Sequence, residues 1–291
     1  MSGMLYLVPT PIGNLGDISA RCRETLAAVD FIAAEDTRVC LRLLNYLQIK
    51  KPLVSYYEHN RAQSGQRIVS RILEGETCAL VTDAGTPAIS DPGEDLVALC
   101  AASGIPVTAL PGPCAAITAL AVSGLPTGRF TFEGFLSTTR KNRQAHLESL
   151  RAETRTMIFY EAPHKLKNTL KDLEQSFGPE RRIVLCREMT KLHEEILRTT
   201  LAGASAFYAD QTPRGEYVLI VEGAGPAEEP AAGVEDGVEL VRRMRTDGLS
   251  LKDAVRQAAA QTGLPRNALY EACVRQAAED GSRGSDGSGS L

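Results

Sequence analysis

The sequence of 291 residues has no tryptophan, only four histidines, and seven cysteines that form no CxxC pair. Scattered cysteines are typical of reduced thiols. Neither the cysteines nor the histidines have the spacing of zinc ligands, so we expect no bound metal. Apolar runs of membrane-spanning length and a signal-peptide pattern are also missing. These absences predict a soluble, cytoplasmic protein.

An excess of positive charge is missing as well, because the formal net charge is −4. Proteins that bind nucleic acid contact phosphates through lysine and arginine, so the charge of the whole chain does not favour that function. Contact with RNA would need a local basic cluster, and residues 139–143 provide one. A solvated helix start is the plainer interpretation of the same cluster.

Short apolar runs alternate with helical patterns along the first two thirds of the chain. The predicted strands are 4–8, 31–34, 78–81, 107–110, 130–135, 156–160, 183–186 and 217–221. Strand, loop and helix repeated in this order predict an α/β fold. We expect two α/β units, one at 1–123 and one at 127–223.

The last part of the chain has a different composition. Residues 224–234 are rich in alanine, glycine, proline and glutamate and are typical of a linker. Three helical patterns follow, and a glycine-containing turn between the last two predicts a helix-turn-helix-like domain at 235–279. Residues 280–291 have nothing to bury, so we expect a disordered tail.

Three predicted strands end in loops rich in glycine and proline, at 9–17, 82–93 and 111–115. Proline fixes φ and glycine permits positive φ, so such loops can be stiff and tightly turned. Ligands of open α/β sheets bind beyond the carboxyl ends of the strands. One such loop alone is more often a plain turn, but three in this order predict a ligand site.

Seven short strings together resemble one family. They are VPTPIGNLGD near the start, AEDTR (34–38), TDAGTPAISDPG (82–93), PGP (111–113), EAPH (161–164), RE.TK (187–191) and RGE (214–216). The chain resembles the ribosomal RNA small-subunit methyltransferases that methylate a cytidine 2′-oxygen in the decoding region. Those enzymes belong to the larger tetrapyrrole-methylase-like group. The resemblance covers about 4–223 and continues into the helical tail.

The resemblance implies two α/β units of the tetrapyrrole-methylase (class III methyltransferase) type, with S-adenosylmethionine bound in a cleft between them. The cofactor-binding residues that it implies are Pro11, Gly85, Thr86, Ile89, Pro111, Gly112, Cys114, Ala115, Tyr160 and Glu161. It also implies a homodimer and, as partner, 16S rRNA in the small ribosomal subunit.

Two departures from the wider group bear on the substrate. Residues 11–17 replace its GxGPGD-like opening loop, and Gly85-Thr86-Pro87 stands where Gly-Asp-Pro is usual. Both departures favour the ribosomal RNA branch over a porphyrin or corrinoid substrate.

A ribose hydroxyl is weakly acidic, so its methylation needs a group that accepts the proton or a cation that stabilises the oxygen. Lys191 of the RE.TK string is a candidate for either role, and the alternative is a surface ion pair with Glu194 or Glu195. Glu35 is the second catalytic candidate. His164 of the EAPH string is expected to be structural.

The candidate RNA-binding residues are Arg38, Arg140, Lys141 and Arg143, which could contact phosphates. Arg38 belongs to the charged string 35–38 that follows a predicted strand. The alternative for this string is a helix N-cap at Asp36 or Thr37, with acidic residues near the helix start.

Two other functions stay open at this point. One is a methyltransferase that acts on a small molecule such as a tetrapyrrole. The other is a helix-turn-helix regulator with a ligand-sensing α/β domain, although the same helices could equally form a dimer or ribosome-docking module. The glycine- and proline-rich loops lie in the α/β part and the helical tail is net acidic, which disfavours the regulator.

Overall fold

The computed structural model describes residues 3–225 and 233–283 of the chain. The chain divides into two compact units, Met1–Ala224 and Gly225–Leu291. Within the described residues, the first unit contains two five-stranded sheets with their helices, and the second contains helices only. No described helix is both long and apolar enough to cross a membrane.

The first sheet is parallel throughout. Its strands are β1 (Met4–Leu7), β2 (Phe31–Ala34), β3 (Leu53–Ser55), β4 (Thr77–Val81) and β5 (Val107–Ala109), in the order β3-β2-β4-β1-β5. The helices between them are α1 (Ala20–Ala28), α2 (Thr37–Tyr46), α3 (Arg61–Leu73) and α4 (Glu94–Ala102). Because all five strands run the same way, their carboxyl ends lie along one edge of the sheet.

Helices cover both faces of this sheet. Leu26 of α1 and Leu44 of α2 pack on one face, whereas Ile68 of α3 and Leu96 of α4 pack on the other. Strands that are buried on both faces need a continuous apolar sequence rather than an alternating one. The strand β2, with the sequence Phe-Ile-Ala-Ala, is accordingly buried at every position.

The second sheet is mixed. Its strands are β6 (Phe130–Phe135), β7 (Thr156–Glu161), β8 (Arg182–Arg187), β9 (Glu195–Thr200) and β10 (Tyr217–Val221), in the order β6-β7-β10-β8-β9. Its helices are α5 (Ala115–Ser123), α6 (Arg140–Ser149), α7 (Leu166–Phe177) and α8 (Leu201–Phe207). β6 and β7 are parallel, and the other neighbours are antiparallel.

The helix α5 connects the two sheets, because it begins after β5 and packs on the second sheet. Its Ala116 and Leu120 lie in one buried cluster with Ile158 of β7 and Val184 of β8. Small residues on α5 let it approach the sheet closely. The loop before α5 therefore lies at the carboxyl edge of the first sheet and against the second sheet.

The second unit is formed by α9 (Val234–Thr246), α10 (Leu251–Thr262) and α11 (Arg266–Arg283). Val241, Val255, Leu264 and Leu269 form its buried core. Ser250 is the N-cap of α10, because its hydroxyl accepts a hydrogen bond from the backbone N–H of Asp253.

The predicted α/β fold class with a helical C-terminal part is confirmed, and the predicted strands match observed ones to within one residue. Of the predicted linker, 226–232 lie outside the described residues. Of the predicted disordered tail, 284–291 lie outside them, and α11 extends to Arg283. Four elements had not been predicted: β3, α3, β9 and α8. β3 has three residues, and α8 has seven residues with Gly203, so both give a weak local pattern.

Candidate active site

A cavity of about 450 Å³ lies between the carboxyl edge of the first sheet and the second sheet. Its lining residues are Ile12, Glu35, Thr82, Asp83, Ala84, Gly85, Thr86, Ile89, Ser90, Asp91, Cys114, Ala115, Phe135, Tyr160, Glu161, Ala162, Pro163, Cys186, Glu188, Met189, Lys191, Glu216, Tyr217 and Val218. A cavity of this size, with mixed apolar and polar walls, is typical of a site for a small molecule.

The three glycine- and proline-rich loops are bound to one another at this cavity. Thr10 and Gly85 exchange backbone hydrogen bonds of 2.9 and 3.0 Å, and the Thr86 hydroxyl donates to the carbonyl oxygen of Pro113 at 2.9 Å. A Cβ atom on Gly112 would lie 2.6 Å from Cβ of Pro9. The loops thus support each other, and glycine at 112 permits their close approach.

The structure brings most of the predicted cofactor residues together. Those that line the cavity are Gly85, Thr86, Ile89, Cys114, Ala115, Tyr160 and Glu161. Pro11, Pro111 and Gly112 do not line it, and their assignment as cofactor-binding residues stays a prediction. From the first loop it is the neighbouring Ile12 that reaches the cavity, while Gly112 lies behind the wall, where it contacts Pro9.

Strained backbone is concentrated in two of the loops that line the cavity. Ala88 and Ser90 have φ of 68° and 63°, and Glu188 and Thr190 have φ of 50° and 66°. Left-handed backbone at residues other than glycine is unfavourable and is retained where the surrounding structure requires it, which is often at a functional site. The loops 82–93 and 187–191 are therefore held in defined conformations.

Three carboxylates lie on the side of the cavity that the first sheet forms. Glu35 accepts a hydrogen bond of 2.7 Å from the Thr82 hydroxyl, and Asp83 accepts one of 3.1 Å from the backbone N–H of Asp36. Burial raises the pKa of Asp83, and burial together with the nearby charge of Glu35 raises the pKa of Asp91 to about 6. Asp91 therefore changes its charge close to neutral pH.

The second sheet supplies an aromatic wall. The ring of Tyr160 lies edge-on to Phe132 and Phe135, with ring centroids 5.2 and 5.5 Å apart. Its hydroxyl accepts a hydrogen bond of 3.2 Å from the backbone N–H of Ala116, in the first turn of α5. Burial raises the pKa of Tyr160 to about 12, so its hydroxyl stays neutral.

Glu161 has a structural explanation for its position. Only 4% of its surface is exposed. Its carboxylate accepts hydrogen bonds from the Thr169 hydroxyl and, at 2.8 Å, from the backbone N–H of Ala162. A buried carboxylate needs such partners, and they fix the end of β7 where it meets the cavity.

Lys191 lies between two carboxylates. Its Nζ is 2.8 Å from Glu188 Oε1 and 2.8 Å from Glu216 Oε2. Burial lowers the pKa of Lys191, but the hydrogen bonds to Glu188 and Glu216 and their charges raise it, and the net shift of the pKa is upward. The pairing with two carboxylates favours the role of stabilising cation for Lys191 over the role of base.

The ion pair predicted for Lys191 with Glu194 or Glu195 is wrong. Glu194 accepts a hydrogen bond of 2.6 Å from the backbone N–H of Thr190, and Glu195 pairs with Arg187 at 3.2 Å. A side chain on Gly13 would overlap Lys191 Cγ, so the first loop packs directly on this lysine. The position of Lys191 is thus fixed by both sheets.

The candidate RNA-binding residues lie outside the cavity. Arg38 is 85% exposed and pairs with Asp36 at 2.6 Å, and Asp36 also caps α2, as the alternative interpretation had it. Arg140 and Lys141 are exposed at the start of α6. Arg143 is corrected: its side chain is only 12% exposed and pairs with Asp172 at 2.6 Å, so its guanidinium does not point to solvent.

Several lining residues were not singled out from the sequence, namely Asp83, Asp91, Glu188, Glu216 and Phe135. All but Phe135 belong to strings that marked the loops, TDAGTPAISDPG, RE.TK and RGE. Those strings contained the signal, but nothing in them showed which side chain points inward. His164 is exposed and does not line the cavity.

Comparison with known proteins agrees with this fold. The family model of the tetrapyrrole (corrin/porphyrin) methylases matches residues 4–205, and the model of the RsmI C-terminal HTH domain matches residues 231–277. The chain belongs to the tetrapyrrole methylase family.

Curated relatives define its place in that family. A protein from Synechocystis is 49% identical over 92% of this chain and 96% of its own length, and one from Escherichia coli O157:H7 is 45% identical over 94% and 96%. One from Bacillus subtilis is 42% identical over 93% and 94%. All three are named ribosomal RNA small subunit methyltransferase I, and within the tetrapyrrole methylases the chain belongs to this group.

Solved structures share the fold at low sequence identity. A uroporphyrin-III C-methyltransferase from Thermus thermophilus, solved with S-adenyl homocysteine, has a TM-score of 0.53 and 17% identity, and covers 76% of this chain and 97% of that one. A diphthine synthase has a TM-score of 0.59 and 13% identity, with coverage of 76% and 90%.

Proposed function

We propose that the protein transfers a methyl group from S-adenosylmethionine to the ribose 2′-oxygen of a cytidine in the decoding region of 16S rRNA. The observation that carries this proposal is the identity of 42–49%, over more than nine tenths of the chain, to proteins named ribosomal RNA small subunit methyltransferase I. The seven sequence strings that resemble the cytidine 2′-O-methylating family support the finer assignment.

The charge of the cavity fits a cationic cofactor. Among the described lining residues, the ionisable carboxylates are Glu35, Asp83, Asp91, Glu161, Glu188 and Glu216, and Lys191 is the one lysine or arginine. S-adenosylmethionine carries a sulfonium and an ammonium group against one carboxylate. A wall of acidic side chains attracts a ligand of this charge and repels the phosphates of RNA.

The shape of the cavity fits the same molecule. The turn at Ala84–Thr86 presents backbone groups that can bind polar atoms, and Ile12, Ile89 and Met189 provide apolar walls for a planar base. Ala115 at the start of α5 leaves space that a larger side chain would fill. S-adenosylmethionine supplies a methyl group bonded to a positively charged sulfur, which makes that methyl group reactive.

The protein then has to place the ribose oxygen and stabilise its developing negative charge. Lys191 is suited to this, because the pairing with Glu188 and Glu216 keeps its ammonium charged and fixed in the cavity wall. A fixed cation that does not reorganise during the reaction lowers the barrier more than a mobile one does. Glu35, on the first-sheet side of the cavity, is held by a hydrogen bond from the Thr82 hydroxyl.

The RNA backbone stays outside the cavity. Arg38, Arg140 and Lys141 are exposed and can contact phosphates while one nucleotide enters. The substrate is 16S rRNA in the small ribosomal subunit, and the protein acts as a homodimer in the cytoplasm. Sedimentation of the purified protein at micromolar concentration tests the dimer, and a monomer there contradicts it.

The decisive experiment is incubation of the protein with methyl-labelled S-adenosylmethionine and small ribosomal subunits from a strain that lacks the modification. We expect label on one cytidine 2′-oxygen of 16S rRNA, mapped by nuclease digestion and mass spectrometry. Absence of label on intact subunits contradicts the proposal. Label on a porphyrinoid instead supports the tetrapyrrole alternative, and binding to duplex DNA without methyl transfer supports the regulator.

A further inference from the structure

Asp91 lines the cavity, and the proposed function gives it no part in the methyl transfer. It lies in the loop 82–93, between the left-handed Ser90 and the glycine at 93. The two residues of this loop other than glycine that have positive φ, Ala88 and Ser90, fix the direction of the chain immediately before Asp91. The Asp91 side chain itself is hydrogen-bonded to the Thr82 side chain.

The groups that face Asp91 come from several elements. Glu35 follows β2, and Thr82 and Asp83 follow β4. Burial raises the pKa of Asp91 most, the charges of Glu35 and Asp83 raise it further, and a hydrogen bond with the Thr82 side chain lowers it. From the second sheet, the hydroxyl of Tyr160 has its pKa raised in part by Asp91. Further ionisable groups line the same cavity: Cys114, Glu161, Glu188, Lys191 and Glu216. Lys191 is already paired with two of these carboxylates, Glu188 and Glu216.

The Thr82 hydroxyl is a hydrogen-bond partner of both Glu35 and Asp91. A hydroxyl has one proton to donate, and the Thr82 proton goes to Glu35 Oε2 at 2.7 Å. The Thr82 oxygen can then accept a hydrogen bond from a proton on Asp91. Glu35 and Thr82 together can therefore stabilise the protonated form of Asp91.

We infer that Asp91 is the group that takes the proton from the ribose 2′-hydroxyl, with Thr82 and Glu35 as its positioning residues. This inference depends on the proposed function. As the oxygen–methyl bond forms, the oxygen–hydrogen bond breaks and the proton passes to the Asp91 carboxylate. The sulfonium leaves as a neutral thioether, so the total charge is conserved, and Asp91 later returns the proton to water.

The test is the variant Asp91→Asn, with Asp91→Glu as the conservative variant. Removal of a general base lowers turnover by about a hundredfold, whereas the dissociation constant for S-adenosylmethionine, measured by calorimetry, should change by less than about threefold. The wild-type turnover should rise about tenfold per pH unit below an inflection at or below pH 6. In Asp91→Asn this rise should be lost, and in Asp91→Glu it should return.

A second readout needs neither cofactor nor RNA. The folded protein binds a proton at Asp91 more tightly than the unfolded chain does, so this carboxyl destabilises the fold as the pH rises from about 4 through 6. Asp91→Asn should therefore melt about 2–4 °C higher than wild type at pH 7.5 and show no such gain at pH 4. Carbon-13 NMR of aspartate-labelled protein should show one carboxyl with a midpoint near 6 that is missing from Asp91→Asn.

The matched control is Asp210→Asn, an exposed aspartate after α8, which should leave turnover, pH profile and melting temperature unchanged. If wild type methylates the subunit and Asp91→Asn keeps both its turnover and its pH profile, the inference is wrong and the proposed function stands. If wild type does not methylate the subunit, the proposed function is wrong, whatever the NMR titration shows.

Discussion

The two sheets of the first unit contribute to the cavity in different ways. The parallel sheet supplies backbone turns and carboxylates from the ends of neighbouring strands, such as Glu35 after β2 and Asp83 after β4. The mixed sheet supplies an aromatic wall and the charged cluster around Lys191. Topology alone assembles the first set, because parallel strands all end at one edge.

In the mixed sheet, the register of antiparallel strand pairs brings the groups that line the cavity together. Tyr217 at the start of β10 lies opposite Glu161 at the end of β7 and opposite Arg187 at the end of β8. Two antiparallel pairings therefore bring residues from three distant parts of the chain to one place. The comparison shows that a cavity between two sheets can combine a set of groups fixed by strand direction with a set fixed by strand pairing.

The largest expected effect concerns whether the two sheets fold together. Phe159→Ala in β7 and Phe31→Ala in β2 each remove a fully buried aromatic ring, which should cost about 3–5 kcal/mol of unfolding free energy. Because both sheets lie in one compact unit, each variant should shift the same unfolding transition. The measurement is denaturant unfolding followed by circular dichroism and by tyrosine fluorescence. Two separate transitions, each shifted by one variant, would show instead that the sheets unfold independently.

The next effect concerns the charged cluster of the mixed sheet. Lys191→Met should lower turnover about tenfold or more, since a fixed cation beside the reacting oxygen is lost. Affinity for S-adenosylmethionine should not weaken, because the cavity becomes more acidic and the cofactor is cationic. Single-turnover assays and calorimetry measure the two quantities. The control is Lys167→Met, in helix α7, whose Nζ donates a hydrogen bond to the carbonyl oxygen of Ala209. Equal turnover in both variants removes Lys191 from the mechanism.

The smallest effect concerns the exposed surface. The double variant Arg140→Ala/Lys141→Ala should weaken RNA binding several-fold and reduce the slope of log affinity against log salt by about 1.4, from two phosphate contacts to single-stranded RNA. Arg151→Ala is the control, because Arg151 is also exposed, beyond the other end of α6, and pairs with Glu148. A slope that the double variant leaves unchanged excludes the start of α6 from the RNA interface.

Much of the parallel sheet could be predicted, because its strands are short apolar runs and three of them, β1, β4 and β5, end in loops rich in proline and glycine. Its edge strand β3 was missed, since three residues after a lysine-proline sequence give no pattern. In the mixed sheet, β9 was missed because it is half-buried and carries charged residues. Arg143 was misassigned for a related reason, as its partner Asp172 is on the next helix and is not visible in the local sequence.

The sequence by itself determined the kinds of loop and the edge of the sheet where a ligand binds, because φ preferences of proline and glycine act within a few residues. The tertiary structure alone decided which charges pair and which are buried. Lys191 pairs with Glu188 and with the distant Glu216 rather than with Glu194 or Glu195, and Asp91 is shielded from water by the surrounding cavity walls. Coulomb energy and desolvation depend on distances in space and on the surrounding dielectric, and neither quantity is set by separation along the chain.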